Sequence, residues 1–201
     1  MTTGSARAAA LVVLVLAGCA AQVPAAAATS DGWGIEELMH ALGQVKSSKA
    51  RFVERKHMAI LSAPLELSGT LAYAAPGRLE KHTLSPHRES MVLEGDRLTL
   101  DDGQRNRRRT VRLQDYPLVR AFVESIRSTL AGDLATLNQF YEVGFEGGER
   151  QWRLKLKPRE PDMQGVVNEI RISGSRDRVS RIEIDEMGGD RSIMTVTQDG
   201  N

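Results

Sequence analysis

Leu65-Glu66-Leu67-Ser68-Gly69-Thr70-Leu71-Ala72-Tyr73-Ala74-Ala75-Pro76-Gly77-Arg78-Leu79 is the stretch that decides the fold. In an extended chain Leu65, Leu67, Leu71 and Tyr73 fall on one side, with Gly69 between them. Glu66, Ser68, Thr70 and Ala72 fall on the other. Side chains of a strand alternate between faces, so this pattern predicts a strand with one buried and one wet face. Pro76-Gly77 turns the chain, because proline fixes its own φ and glycine accepts positive φ. A second strand begins at Arg78.

The same texture extends both ways. Ala50 to His57, with Phe52 among its apolar residues, alternates imperfectly ahead of the opening stretch. Glu80 to Leu84, Glu89 to Glu94 (Met91, Leu93) and Arg97 to Asp101 (Leu98, Leu100) follow it. Ser85-Pro86, Gly95-Asp96 and Asp102-Gly103 separate these runs. Short alternating runs punctuated by turn residues predict an antiparallel meander. Further along, Phe140 to Phe145 precedes Arg150 to Lys157, which sets Trp152, Leu154 and Leu156 on one face. Val167 to Ser173 pairs Ile170 with Ile172, Arg178 to Met187 pairs Ile182 with Ile184, and Ser192 to Thr197 closes the domain. About ten strands in one sheet must curl, because strands twist.

Two helical patterns interrupt the strands. Trp33 to Val45 repeats Ile35, Leu38, Met39 and Leu42 at helical spacing, with Asp31 as its expected cap. Asp115 to Ala131 places Leu118, Phe122, Ile126 and Leu130 four apart, widened by Val119 and Val123. Gly132-Asp133 ends it and starts a shorter helix through Leu134 to Asn138. The expected fold is therefore α+β and mainly antiparallel β: a curved, incompletely closed barrel with an N-terminal helix and a helical insertion midway. That insertion either seals one open end of the sheet or forms a lid over a binding cavity.

Totals narrow the function. The chain has 201 residues, 27 Lys+Arg against 26 Asp+Glu, 4% aromatics and one cysteine. A near-neutral balance argues against nucleic acid, whose binders are strongly basic. Arg7 followed by the apolar run Ala8 to Ala17 fits an export signal and is too short to span a membrane. Leu16-Ala17-Gly18-Cys19 looks like a lipobox, in which cleavage leaves Cys19 lipidated; ordinary cleavage after the alanines at Ala25 to Ala28 is the alternative. The expected division is a signal peptide over 1–18, a flexible tether over 19–32 and one domain over 33–201. Its expected place is the periplasm, anchored to the outer membrane if Cys19 carries lipid. With its sole cysteine at position 19, ahead of the domain, that domain must be stable without a disulfide.

Catalytic signatures do not emerge. There is no Gly-x-Ser-x-Gly elbow and no glycine-rich phosphate loop. His82 and His87 flank a Ser85-Pro86 turn at a spacing unfamiliar for metals, and Asp101-Asp102 reads as hairpin chemistry. No enzyme, metal site or cofactor is expected. Arg105, Arg107, Arg108 and Arg109 form the densest charge run, either a solvated strand or hairpin, or a docking patch for anionic headgroups or an acidic partner. The inward aliphatic positions admit two readings as well: an ordinary packed core, or an apolar cavity suited to acyl chains. In the second reading the wall is Phe52, Leu65, Leu67, Leu71, Tyr73 and Leu79, then Met91, Leu93, Leu98 and Leu100. Trp152, Leu154, Leu156, Ile170, Ile172, Ile182 and Ile184 complete it, under a lid of Leu118, Phe122, Ile126 and Leu130.

The order Phe52 to His57, Leu67-Ser68-Gly69-Thr70-Leu71, Pro76-Gly77-Arg78-Leu79 and Leu93-Glu94-Gly95-Asp96-Arg97-Leu98 resembles the outer-membrane lipoprotein carrier family, the LolA-like proteins. Asn168 to Gln198 is similar to that family's last strands. The resemblance implies an open antiparallel barrel with a helical lid, whose cavity takes lipoprotein acyl chains across the periplasm. The implied partners are lipoprotein acyl chains or another lipid, an inner-membrane exporter or an outer-membrane acceptor, and the membrane surface through Cys19; the protein is expected to be a monomer. A lipid-anchored sensor or assembly module on the same fold is the alternative. The carriers commonly have a basic residue before the proline and an aromatic after it, where this chain has Ala75 and Glu80-Lys81. Those departures imply altered cargo or release.

Overall fold

The computed structural model describes residues 32–199, so the expected signal peptide, Cys19 and nearly all of the expected tether lie outside the described residues. Eleven strands make one antiparallel sheet. The first six are β1 Ser47–His57, β2 Leu65–Ala74, β3 Arg78–Ser85, β4 Glu89–Glu94, β5 Arg97–Asp102 and β6 Arg107–Arg112. The remaining five are β7 Tyr141–Gly148, β8 Gln151–Pro158, β9 Val167–Ser175, β10 Arg178–Glu186 and β11 Arg191–Gln198. Their order is β6-β5-β4-β3-β2-β1-β11-β10-β9-β8-β7. The first strand therefore pairs with the last, while β6 and β7 remain free edges. This is the curved, unclosed antiparallel architecture expected from the alternation. It has one strand more than counted, β6, hidden in the arginine run. A single apolar residue, Val111, gives β6 little alternation to read, and an edge strand tolerates charge that a central one would not.

Within the opening stretch, β2 pairs Leu71 with Ala50, Gly69 with Phe52 and Leu67 with Glu54 on one side, and Tyr73 with Leu79 on the other. A bulge between Ser68 and Gly69 brings β3 close. A Cβ on Gly69 would lie 1.9 Å from the His82 carbonyl oxygen and 3.0 Å from Phe52 Cε1. Gly69 is thus the gap over which the Phe52 ring packs.

Among the described residues four α-helices accompany the sheet: α1 Ile35–Gln44, α2 Pro117–Ala131, α3 Leu134–Phe140 and α4 Pro161–Gln164. The cap of α1 is Gly34, whose N–H donates to Glu37 Oε2 at 2.8 Å; Asp31, the expected cap, lies outside the described residues. The α2–α3 insertion leaves the β6 edge and returns at the β7 edge, spanning the open side of the sheet. Gly132 ends α2 at φ +69°, and a Cβ there would sit 2.1 Å from the Met39 carbonyl oxygen of α1. Only glycine allows both that backbone and that approach.

The core is divided. Its larger part joins Leu38, Met39 and Leu42 of α1 and Leu137 of α3 to Tyr141, Trp152, Leu154, Leu156, Ile170 and Ile172. A smaller cluster holds Leu93, Leu98, Leu113 and Val123 under the other half of the sheet. Space is left between them.

Candidate functional site

That space is a cavity of about 550 Å³ between the concave face of the sheet and α2. Leu71, Tyr73 and Leu79 of β2 and β3, Met91, Leu93 and Leu98 of β4 and β5, and Ile172, Ile182 and Ile184 of β9 and β10 line it. Leu118, Phe122, Ile126 and Leu130 line it from α2, together with Val119 and Val123.

Beside that stripe α2 carries a row of small residues that packs tightly, and Thr129 of that row also reaches the cavity wall. Ala121, Ser125, Ser128 and Thr129 are buried. The Ser125 hydroxyl donates to the Phe122 carbonyl at 2.7 Å and that of Thr129 to Ser125 at 2.6 Å, which satisfies these groups within the helix. The Tyr141 hydroxyl donates to the Ala121 carbonyl at 2.9 Å, and burial pushes that phenol well above its ordinary range. Small side chains let α2 lie close to its supports, and its larger apolar ones are left for the cavity.

Other residues expected in the wall lie elsewhere. Trp152, Leu154, Leu156 and Ile170 are sealed in the core under α1 and α3, at most 1% exposed. Their strands alternate like the others, but here helices already cover the inward face. Phe52 is buried against Gly69. Leu65, Leu67 and Leu100 share the concave face but not the cavity; Leu65 and Leu100 are 38% and 41% exposed.

Among residues the sequence pattern did not single out, Met194 and Val196 of β11 continue the apolar wall. More unexpected is a charged group within it. Glu54 of β1 is 4% exposed, and both its oxygens are used. Lys81 Nζ donates to Oε2 at 2.5 Å, the Ser192 hydroxyl donates to Oε1 at 2.7 Å, and Lys56 Nζ stands 3.6 Å from Oε1. Burial alone would raise the Glu54 pKa; Lys81, Ser192 and Lys56 together outweigh it and hold the carboxyl below its ordinary range. Lys81 also stands 4.9 Å from the centre of the Phe52 ring. A signal existed for this group: Ala50, Phe52, Glu54 and Lys56 share one side of β1, so Glu54 follows Phe52 inward.

Arg127 fastens α2 to the hairpins. Its Nε donates to Glu124 Oε2 at 3.0 Å and its Nη1 to the Gly95 carbonyl at 3.3 Å, at the tip between β4 and β5. Its stem covers Gly77, where a Cβ would lie 2.9 Å from Arg127 Cδ. The turn that has Ala75 before its proline is thus reached by a cation from the helix instead. Arg127→Ala strands the buried Glu124 carboxylate, so it is expected to cost about 1–3 kcal/mol of stability and to speed release of a fluorescent acyl probe several-fold. Unchanged release kinetics would mean that this contact does not restrain the helix.

The arginine run is separate from the cavity. Arg107, Arg108 and Arg109 lie on the edge strand β6, and Arg105 lies in the preceding turn, 3.6 Å from Asp102. Arg109 lies over the Tyr116 ring at 5.6 Å and donates to its hydroxyl at 2.5 Å. None of the four lines the cavity. Among the described residues, no three His, Cys, Asp or Glu side chains are grouped to hold a metal ion, and no helix is long and apolar enough to cross a membrane.

Solved structures similar to the chain include a LolA superfamily protein from Nitrosomonas europaea, at 10% identity over 81% of this chain and 89% of that one, with a TM-score of 0.45. A putative outer membrane lipoprotein-sorting protein domain from Vibrio parahaemolyticus matches at 9% identity over 81% and 88%, with a TM-score of 0.43. A chain of the Pseudomonas aeruginosa MucA/MucB complex matches at 16% identity over 82% of this chain and 54% of that one, with a TM-score of 0.46. No curated protein sequence matches the chain. The family model for outer membrane lipoprotein carrier protein LolA-like proteins matches residues 25–197, and the chain belongs to that family.

Proposed function

We propose that this is an exported, non-enzymatic protein that holds the acyl chains of a lipoprotein or another lipid, and carries or accepts them on the way to the outer membrane. The observation that carries the reading is the cavity of about 550 Å³, walled by aliphatic side chains from both the sheet and α2. Its size is that of a typical small-molecule site. Each buried methylene contributes about 0.8 kcal/mol, so a chain with about ten of them inside would gain on the order of 8 kcal/mol before the costs of ordering. Membership of a family described as lipoprotein carriers supports the cargo class. Work in the periplasm, anchoring through Cys19, and exchange with an inner-membrane exporter or outer-membrane acceptor belong to the same proposal.

Native mass spectrometry of the protein purified from an envelope fraction tests it. Lipid adducts released by organic extraction are the expected result; protein recovered free of lipid, and unable to take up a fluorescent fatty acid, overturns it.

A second reading draws on the separation between the cavity and the β6 edge. If the protein works as an interaction module, replacing Arg105, Arg107, Arg108 and Arg109 by serine should abolish partner capture while lipid uptake stays intact. Loss of uptake without loss of capture would favour the carrier.

A further inference from the structure

We infer that the Glu54–Lys81–Lys56 cluster is a headgroup subsite, where the carboxylate or phosphate of a lipid docks while its acyl chain lies in the apolar cavity. This deepens the carrier reading and rests on it. An ion pair in an apolar wall is paid for in desolvation, and apolar residues of similar volume would often serve stability as well or better. Here the group stands on the wall of a cavity rather than in the sealed core.

The local charges do not cancel. Glu54 supplies one negative charge and Lys81 and Lys56 supply two positive ones, at 2.5 and 3.6 Å from its oxygens. Both Glu54 oxygens are occupied, so the carboxylate acts as a fixed anchor that holds Lys81 against the wall. An ammonium has three N–H donors. Glu54 takes one from Lys81 and the Phe52 ring offers only its π face, which leaves capacity for an incoming anion. Lys56, with 42% of its side chain exposed, guards the same place from the solvent side.

Two other acids line the cavity. Glu80 is committed to Arg78 at 2.8 Å and His82 at 2.9 Å. Glu186 is exposed at the rim, beyond Ile184 on β10, where water and salt screen it. An anion beside Lys56 and Lys81 therefore meets a net positive site, and a neutral lipid leaves that charge uncompensated.

The test is a binding titration of the full mature protein with palmitate, lysophosphatidic acid and uncharged methyl palmitate. The wild type is expected to bind at least one of the two anions roughly 10- to 100-fold more tightly than the methyl ester. The tighter of the two identifies carboxylate or phosphate as the preferred head. Lys81→Met is expected to erase that preference, read as the ratio of anion to ester affinity within the same variant. Because Lys81→Met strands a buried carboxylate, Glu54→Gln/Lys81→Met is made alongside it; it removes the pair, keeps a partner for Ser192, and should lose the preference equally. Lys56→Gln, at a half-exposed side chain, should lose part of it. Equal binding of the anions and the ester by wild type, or an unchanged preference in the folded double variant, overturns the subsite and leaves the acyl cavity standing. Failure of all three ligands to bind wild type overturns the carrier reading itself, and the subsite with it.

Discussion

Ile182→Trp is expected to weaken acyl binding at least ~100-fold while the protein stays folded. Ile182 lies on the concave face of β10, opposite Ile172 on β9 and Met194 on β11, and all three side chains line the cavity. An indole there projects into space that a ligand would otherwise occupy. Excluding about four methylenes removes on the order of 3 kcal/mol, which is roughly 100-fold in affinity. Stability should change by about 1 kcal/mol or less, because the ring fills a void instead of displacing packed neighbours. The contrast is Leu154→Trp. Leu154 has the same aliphatic character but is 0% exposed, under α1 and α3, and overpacking there should cost about 1–3 kcal/mol or more. A fluorescent fatty-acid displacement titration and thermal melts of both variants check the pair. If Ile182→Trp binds as wild type does, acyl chains do not enter this cavity.

Much of the fold was legible because the opening stretch obeys a single rule. In β2 each inward residue is apolar or glycine and the turn after it is written in Pro76-Gly77, so strand, face and hairpin follow from local pattern. The same rule failed for β6, whose pairing with β5 is a tertiary fact that four arginines conceal. On α2 the stripe was legible but not its meaning. A helix with Leu118, Phe122, Ile126 and Leu130 four apart ordinarily buries that stripe in the core. Here Ala121, Val123, Glu124, Ser125, Ser128 and Thr129 are the buried ones, while those four stay only partly covered, and the reason lies in contacts with distant segments of the chain that no local window contains.

For the site, alternation identified which side of each strand faces inward but not what covers it. Ile170 and Ile172 are neighbours on one face of β9, yet Ile172 lines the cavity and Ile170 belongs to the core alone. The difference is set by which distant segments pack on each position and not by periodicity. Glu54 and Lys81 were concealed for the opposite reason. Charged residues inside an apolar alternation read as wet positions unless their neighbours' register is followed. The register links Glu54 to Leu67, and Leu71 of the same strand to Lys81, so one long side chain bridges β2 to reach the carboxylate.

On the convex face, Arg171→Ala is expected to destabilise the protein by about 2–4 kcal/mol, the largest stability loss anticipated for a single side chain outside the core. Arg171 of β9 donates from Nη1 to Glu169 at 2.8 Å, from Nε to Glu183 at 2.9 Å, and pairs through Nη2 with Asp185 at 2.8 Å. Its side chain is only 17% exposed, so solvent screens these contacts weakly. Arg181 at 2.5 Å and Arg191 at 3.5 Å also reach Glu183, and Arg191 reaches Asp185 at 3.2 Å. Removing Arg171 takes from Glu169 its ion-pair partner but leaves Glu183 and Asp185 to the peripheral Arg181 and Arg191, hence a loss near the lower part of the range for a broken buried pair. In a domain of this size that corresponds to a Tm lower by roughly 10 °C. Acidity supplies an independent reading. Burial would raise the Glu183 pKa, but hydrogen bonds from Arg171 and Arg181 bring it from 4.5 down to about 2. A carboxyl depressed in the folded state stabilises the protein above its unfolded pKa, and that contribution disappears as pH falls through the folded one. Wild-type stability should therefore fall between about pH 4.5 and pH 2, and the gap between wild type and Arg171→Ala should close over the same interval. Urea denaturation at stepped pH measures both curves, and a gap that stays constant down to pH 2 would show that Arg171 stabilises by packing and not by charge.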